Sequence, residues 1–148
     1  MNGFFFLEFF QKNRAAASKF KKNVAQLINF SYLCRVKRKI KIYGGYFEAF
    51  KETLTTKEVL KLDYIISLLE TSDRMPKKFI KYIRDGLYEL RLEYESKIYR
   101  VFFIFDEGQI VILFNGFQKK TQKTPLGEIN KALKIKEEYY ADKQSQNS

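Results

Sequence analysis

The segment NGFQKKTQKTP, residues 115–125, places three cations directly after an apolar run. These cations are Lys119, Lys120 and Lys123, and the 148-residue chain contains no histidine. Clustered lysines bind phosphate as point charges. Cations held close together also lower one another's pKa, so one of them could act as a general acid or base near neutral pH. The segment therefore predicts either a phosphate-handling site that works without imidazole or a solvated basic loop.

Two arginines on neighbouring predicted strands extend this pattern. A two-residue turn at Glu95 and Ser96 would place Arg91 directly opposite Arg100. Like charges in that position destabilise a sheet unless a carboxylate or a bound anion neutralises them, and Glu89 lies on the same strand face as Arg91. In a meander, the next strand would bring the basic segment to the same patch. The alternatives are a different register, or a separate glutamate partner for each arginine.

The composition limits the classes of function. A net charge of +11 and a pI of about 9.6 favour nucleic acid or an acidic protein as the partner, although a merely lysine-rich domain is the alternative. One cysteine and no histidine exclude an intramolecular disulfide, a Cys/His zinc site and a Ser-His-Asp or Cys-His centre. No window approaches the roughly 18 apolar residues that cross a bilayer. We therefore expect a cytoplasmic protein with no membrane partner.

Residue periodicity predicts an α+β domain with a mostly antiparallel sheet, an N-terminal helix pair and a C-terminal helix. Thr55 and Glu58 have the spacing of a capping box. Thr124 is the expected N-cap of the last helix, with Pro125 at its first position, and a helical turn is expected after Pro76. The elements are a strand at 38–42, helices at 46–54 and 55–71, strands at 87–94, 97–105 and 109–117, and a helix within 124–143.

Three segments together resemble a known family. They read DGLYELR, YRVFFIFDEG and ILFNGFQKKTQKTPLGEINKA. They are similar to the RelE/ParE toxin superfamily, and within it to the HigB-like branch of type II toxin–antitoxin systems. The resemblance extends from about Lys37 to Lys143. It implies the RelE-like fold, which agrees with the order of elements predicted above.

The resemblance also implies a function. Such toxins inhibit growth by cleaving mRNA, commonly on the ribosome, as endoribonucleases that need no metal or small-molecule cofactor. A cognate antitoxin, expected to be a helix-turn-helix protein encoded nearby, would neutralise the toxin. The catalytic residues implied by position are Arg91, Arg100, Lys119 and Lys120. We further expect Lys123, Thr121 and Glu89 to bind the RNA.

One position departs from the family pattern. Many relatives carry a histidine just before the Gly-Phe pair, where this chain has Asn115. Asparagine donates and accepts hydrogen bonds but does not shuttle protons. The expected mechanism therefore uses Arg91 and Arg100 to stabilise charge and Lys119 or Lys120 as acid or base, with Glu89 as an alternative base.

The resemblance divides the chain into three predicted regions. Residues 1–35 form an N-terminal extension, 36–143 the toxin domain, and 144–148 a disordered tail. The extension is either the result of a start site assigned too early or a true basic segment that touches rRNA or the antitoxin. Two other functions stay open: a toxin of the same fold that binds a protein target such as gyrase, and a catalytically silent RNA-binding module.

Overall fold

A computed structural model describes residues 37–147, which form five strands and three helices. The predicted extension at 1–35 lies outside the described residues. The predicted α+β class with a RelE-like arrangement is confirmed. In chain order the elements are β1 (Lys39–Ile42), α1 (Tyr46–Glu52), α2 (Thr56–Thr71), β2 (Ile80–Arg84), β3 (Leu87–Tyr94), β4 (Lys97–Asp106), β5 (Ile110–Lys119) and α3 (Leu126–Gln146).

The strands form one sheet in the order β1-β5-β4-β3-β2. Strand β4, which is nearly all apolar, lies at the centre as its composition predicts. The pairs β2–β3, β3–β4 and β4–β5 are antiparallel, and β1 alone pairs in parallel, with β5. The parallel pair exists because the two helices of the N-terminal pair carry the chain from β1 across the sheet before the meander begins.

Each face of the sheet has its own apolar core. Leu90, Leu92 and Val101 face the helix pair, whereas Leu87, Phe102 and Ile104 face α3. Successive strand residues point to opposite faces, so the alternation in β3 and β4 assigns every neighbouring side chain to one layer or the other. The helical residues that close these cores are Phe47, Phe50, Leu62, Ile65 and Leu69 on one face, and Ile129, Ala132 and Ile135 on the other.

Both ends of α2 have hydrogen-bond partners for their exposed backbone groups. The predicted capping box is confirmed: the Thr55 N–H donates to Glu58 Oε2 at 2.8 Å, and the Glu58 N–H donates to Thr55 Oγ1 at 3.4 Å. At the other end, Arg38 Nη1 donates to the carbonyl oxygens of Leu69 and Ser72 at 2.8 and 2.6 Å. These bonds satisfy groups that a helix leaves unpaired, and they tie α2 to the residue that precedes β1.

The segment after Pro76 differs from the prediction. A single turn, in which the Phe79 N–H donates to the Pro76 carbonyl, is followed by β2 instead of helix. Strand β2 pairs with β3, with Tyr82 opposite Tyr88. The helix signal at Pro76 was local, and hydrogen bonding to the edge of β3 is worth more than the isolated turn that the signal predicts.

Helix α3 also differs from the prediction at both of its ends. Its N-cap is Pro125, and no side chain caps it, so the prediction that Thr124 is the N-cap was wrong. At the far end the helix continues to Gln146, into the tail predicted to be disordered, because residues 144–146 contain no helix breaker. Within residues 37–147, no helix combines the length and the apolar content that a membrane crossing requires.

Candidate nucleic-acid interface

The two arginines face each other as predicted. The β3–β4 turn at Glu95 and Ser96 sets a register in which Arg91 is the direct partner of Arg100. The turn is tight enough because Glu95 adopts a left-handed backbone conformation, with φ of 53°. Leu90 and Leu92 belong to the core under the helix pair, so both arginines lie on the opposite face, the one that α3 covers.

A buried carboxylate lies between the two guanidinium groups. Glu89 Oε1 is 3.1 Å from Arg100 Nε and 3.5 Å from Arg91 Nε. The side chains of Glu89 and Arg100 are only 1% and 2% exposed, whereas Arg91 is 33% exposed. Both arginines therefore share the Glu89 carboxylate, and the three side chains together carry one net positive charge.

Thr124 holds that carboxylate from the other side. Its Oγ1 donates to Glu89 Oε2 at 2.7 Å, across 35 residues of sequence. This bond explains why Thr124 does not cap α3: its hydroxyl is already used by Glu89. Sequence reasoning missed this role because the pattern Thr-Pro before a helix predicts a cap, and no local signal indicates a distant carboxylate.

The arginine pair keeps unused hydrogen-bonding capacity. The Nε atoms of Arg91 and Arg100 are buried and make no hydrogen bond of good geometry within residues 37–147, although both are at ion-pair distance from Glu89. Arg100 Nη1 donates to the Tyr99 carbonyl at 2.9 Å. Burial lowers the pKa of the Arg100 guanidinium, the Glu89 carboxylate opposes that shift, and Arg91 adds to it. The unpaired Nε donors and the net positive charge of the Arg91–Glu89–Arg100 group favour an additional anion.

A one-residue bulge decides which face of the sheet carries Lys119. In the first half of β5 the register pairs Leu113 with Phe103, and continuing it would place Lys119 on the face opposite Arg100. The register shifts before Gly116, which pairs with Val101. After the shift Lys119 pairs with Ile98, two residues from Arg100 on the same face.

The surface beyond the N-terminus of α3 is therefore a small grid of side chains. Strands lie about 4.8 Å apart, and successive rows on one face lie about 6.6 Å apart. All members of the grid come from β3, β4 and β5, so their relative positions are set by the sheet. One row is Arg91, Arg100 and Phe117, and the next row is Glu93, Ile98 and Lys119. We call these two rows the cationic grid.

The remaining basic residues follow β5 in an open loop. Lys119 Nζ donates to the Gln122 carbonyl at 2.6 Å, and Thr121 Oγ1 donates to the Lys123 carbonyl at 2.7 Å, so the loop is ordered by its own side chains. Lys120 is exposed and, with Lys97, Lys119 and Thr121, lines an open cleft of about 550 Å³ beside the β3–β4 turn. The structure thus places Lys119 on the face of the arginine pair, one row from Arg100, and Lys120 in the adjoining cleft.

Two predicted residues have positions that bear on their roles. Lys123 is exposed, and the contacts described for it involve its main-chain carbonyl. Glu89, predicted to touch RNA, is buried between the arginines and Thr124, which suits it to hold cations in place. Its negative charge, placed between the two guanidinium groups, explains how the pair of like charges is tolerated in the folded state.

Asn115 lies at the bulge, beneath the cationic grid. It is 1% exposed, and its Nδ2 donates to Glu128 Oε2 in the first turn of α3 at 3.2 Å. Its Oδ1 is buried and has no hydrogen-bond partner within residues 37–147. The amide is therefore bound to α3 through Nδ2, its Oδ1 stays available as a hydrogen-bond acceptor, and neither atom can transfer a proton.

The fold and the arrangement of basic residues define the class of this protein. A mostly antiparallel sheet with a helix pair on one face and a C-terminal helix on the other, and with cations gathered at the strand ends, is the architecture of RelE/ParE-like toxins. Residues 49–137 match the family described as Phage derived protein Gp49-like (DUF891), and the chain belongs to that family, which is a family of toxin–antitoxin toxins. Comparison with curated proteins finds no significant match.

Proposed function

We propose that this toxin is a HigB-like, metal-independent endoribonuclease that cleaves mRNA on the ribosome. The observation that carries the proposal is the facing pair of Arg91 and Arg100, with Lys119 two residues away on the same face. Guanidinium groups bind phosphate oxygens in a bidentate manner, and a lysine adds a compact positive charge. A scissile phosphate with a charge that grows during reaction suits this set of donors.

The proposed chemistry is an internal transesterification. The ribose 2′-OH attacks the adjacent phosphorus, the P–O5′ bond breaks, and the products are a 2′,3′-cyclic phosphate and a free 5′-OH. One proton leaves the 2′-OH and one reaches the departing O5′, so a base and an acid are both required. Arg100 and Arg91 would stabilise the negative charge on the phosphorane, and their benefit depends on being held in place before the reaction.

In this proposal lysines carry out the proton transfers, because Asn115 replaces the histidine of many relatives. Lys119 lies on the grid and Lys120 lines the adjoining cleft, so one would act as base and the other as acid. Thr121 and Lys123 would bind the RNA backbone, and Glu89 would position both arginines without touching the reacting atoms. A ribosome that holds the mRNA in line would supply part of the rate through orientation.

Induced expression of the full chain tests the proposal. We expect new mRNA 5′ ends in translated regions and no DNA damage, and Arg100→Ala should abolish both the new ends and the growth arrest. Arg84→Ala controls for the loss of one charge, because Arg84 lies on edge strand β2 and contacts Asp85 and Asn130. Since removing Arg100 breaks a buried ion pair, circular dichroism and a melting curve of Arg100→Ala must accompany the test. DNA damage with intact mRNA would instead favour a protein target such as gyrase, and full toxicity of a folded Arg100→Ala variant would show that this site is wrong.

The lysines require a double substitution, since each could replace the other. Lys119→Ala/Lys120→Ala should remove cleavage while leaving the melting temperature nearly unchanged. The matched control is Lys39→Ala/Lys41→Ala, which removes the same charge from exposed positions beside the other end of β5. Equal loss of cleavage in both double variants would mean that net charge matters and that the site does not.

The proposed partner is a cognate antitoxin of the helix-turn-helix class, encoded next to this toxin. Toxins of this family act in toxin–antitoxin pairs, and a net charge of +11 favours an acidic surface on the partner. Coexpression of the neighbouring reading frame should restore growth, and the two proteins should copurify. Growth arrest that persists with a well-expressed neighbour would exclude that neighbour as the antitoxin.

A further inference from the structure

Phe117 is an aromatic side chain placed among the cations of the grid. It is the direct partner of Arg100 on β5, and it lies two residues before Lys119 on the same face. Without the bulge in β5 it would lie on the other face of the sheet, where the Gly116 backbone packs against Phe50 of α1. The bulge therefore brings one aromatic ring and one lysine to the arginine pair together.

The ring of Phe117 is partly buried and stacks on one neighbouring ring. Phe102, which is fully buried, stacks on it with a centroid separation of 5.7 Å and an interplanar angle of 26°. Strand β1 pairs with β5 only from Ile110 to Leu113, so within residues 37–147 β4 is the one strand that flanks β5 at Phe117, and the other side of β5 has no strand there. A partly exposed ring that stacks on a buried ring has little freedom to move, which suits it to contact another flat group.

We propose that Phe117 is a stacking platform for the unpaired base next to the scissile phosphate. This inference rests on the proposed function, since it assigns the nucleotide that the cationic grid would hold. Lys119 lies two residues farther along β5, about 6.6 Å away on the same face, so a phosphate on Lys119 leaves an adjoining base within reach of the ring. Stacking on an aromatic side chain is the usual way in which proteins hold a splayed single-stranded base.

The platform specifies the class of substrate. A base that lies on Phe117 cannot also be stacked within a duplex, so the substrate must be single-stranded at the cleavage point. Every base has a flat face, so the platform by itself selects strandedness and not sequence. Phe117 is a positioning residue: it would fix the nucleotide whose sugar carries the attacking or departing oxygen, while the cations act on the phosphate.

The test is binding of the full chain to single-stranded RNA that cannot be cleaved. Oligonucleotides with 2′-O-methyl riboses lack the nucleophile, so fluorescence anisotropy at low salt reports affinity without chemistry. An abasic residue moved stepwise along the strand removes one base at a time. At one position the wild-type protein should lose affinity roughly tenfold, and Phe117→Leu should lose the same factor with the intact strand.

The decisive readout is the combination of the two changes. If the base stacks on Phe117, the abasic residue should not lower the affinity of Phe117→Leu any further. Phe117→Tyr, which keeps an aromatic ring, should bind the intact strand as tightly as the wild type. Phe105→Leu is the matched control, because Phe105 is a half-buried ring of the same sheet on the opposite face, and it should keep the full abasic effect.

Two results would overturn the inference in distinguishable ways. Independent, additive losses from the substitution and the abasic residue would exclude stacking on Phe117. If Arg100→Ala still weakened binding in that case, the proposed function would stand while the platform would not. If the wild-type chain bound none of the oligonucleotides, both the platform and the RNA-binding interpretation of the grid would fall.

Discussion

Replacing Glu89 by glutamine tests how the fold tolerates two facing arginines. The substitution keeps the shape and the acceptor for Thr124, but it removes the charge that lies 3.1 Å from Arg100 and 3.5 Å from Arg91. Because Arg100 is 2% exposed, its charge would be left buried without a counter-ion. Breaking a buried ion pair in this way costs about 3–5 kcal/mol.

The expected loss is large enough to measure directly. For a domain of about this size it corresponds to a fall in melting temperature of roughly 10–25 °C. The measurement is thermal and urea unfolding of the purified protein, followed by circular dichroism. Glu93→Gln is the matched control: Glu93 is an exposed carboxylate on the same strand face, and its loss should change stability by less than about 0.5 kcal/mol.

Anions should partly restore the glutamine variant. With the carboxylate gone, sulfate can take its place between the guanidinium groups, and at ten times its Kd it would return about 1.4 kcal/mol. Sulfate also stabilises proteins in general, so the relevant quantity is the gain of Glu89→Gln over that of the wild type and Glu93→Gln. A loss below about 1 kcal/mol, or an equal sulfate response in all three proteins, would refute the assignment of Glu89 as the shared counter-ion.

Three further predictions concern the rest of the domain. Hydrogen bonds to the Glu58 carboxylate lower its pKa from 4.5 to about 2; the largest effect comes from the backbone N–H of Thr55, and the side chains of Tyr99 and Lys97 add to it. The stability that Glu58 contributes should be complete above pH 4.5 and be lost on acidification toward pH 2, and a pH series of melting curves should be flatter for Glu58→Gln. Tyr139→Phe removes the 2.6 Å bond to buried Asp106 and should cost about 1 kcal/mol in urea unfolding. Gly116→Ala puts a methyl group 2.2 Å from Phe50 Cδ1 and should lower the free energy of unfolding by about 1–3 kcal/mol, visible as a lower melting temperature, whereas an unchanged one would contradict the close packing.

Features that depend on nearby residues were predictable from the sequence. The capping box joins residues three apart, and the two-residue turn at 95–96 fixes the whole β3–β4 register, so the facing of Arg91 and Arg100 follows from counting. The alternation in β3 likewise places Glu89 on the face of the arginines. In each case the contacting residues are close in sequence, so the spacing of residue types is enough to predict how they face each other.

Other features were decided by contacts between distant parts of the chain. Strand β2 forms because its backbone can hydrogen-bond to the edge of β3. The Thr124 hydroxyl bonds to Glu89 instead of capping α3, because a buried carboxylate requires hydrogen-bond donors. The bulge in β5 matters most, since a shift of one residue moves Phe117 and Lys119 to the other face of the sheet. The packing of Gly116 against Phe50, which lies far away in the chain, is a distant contact that favours this register and that the composition of β5 does not reveal. The sequence by itself determined which charges are present and which two face each other, and the tertiary structure decided which side chains surround them.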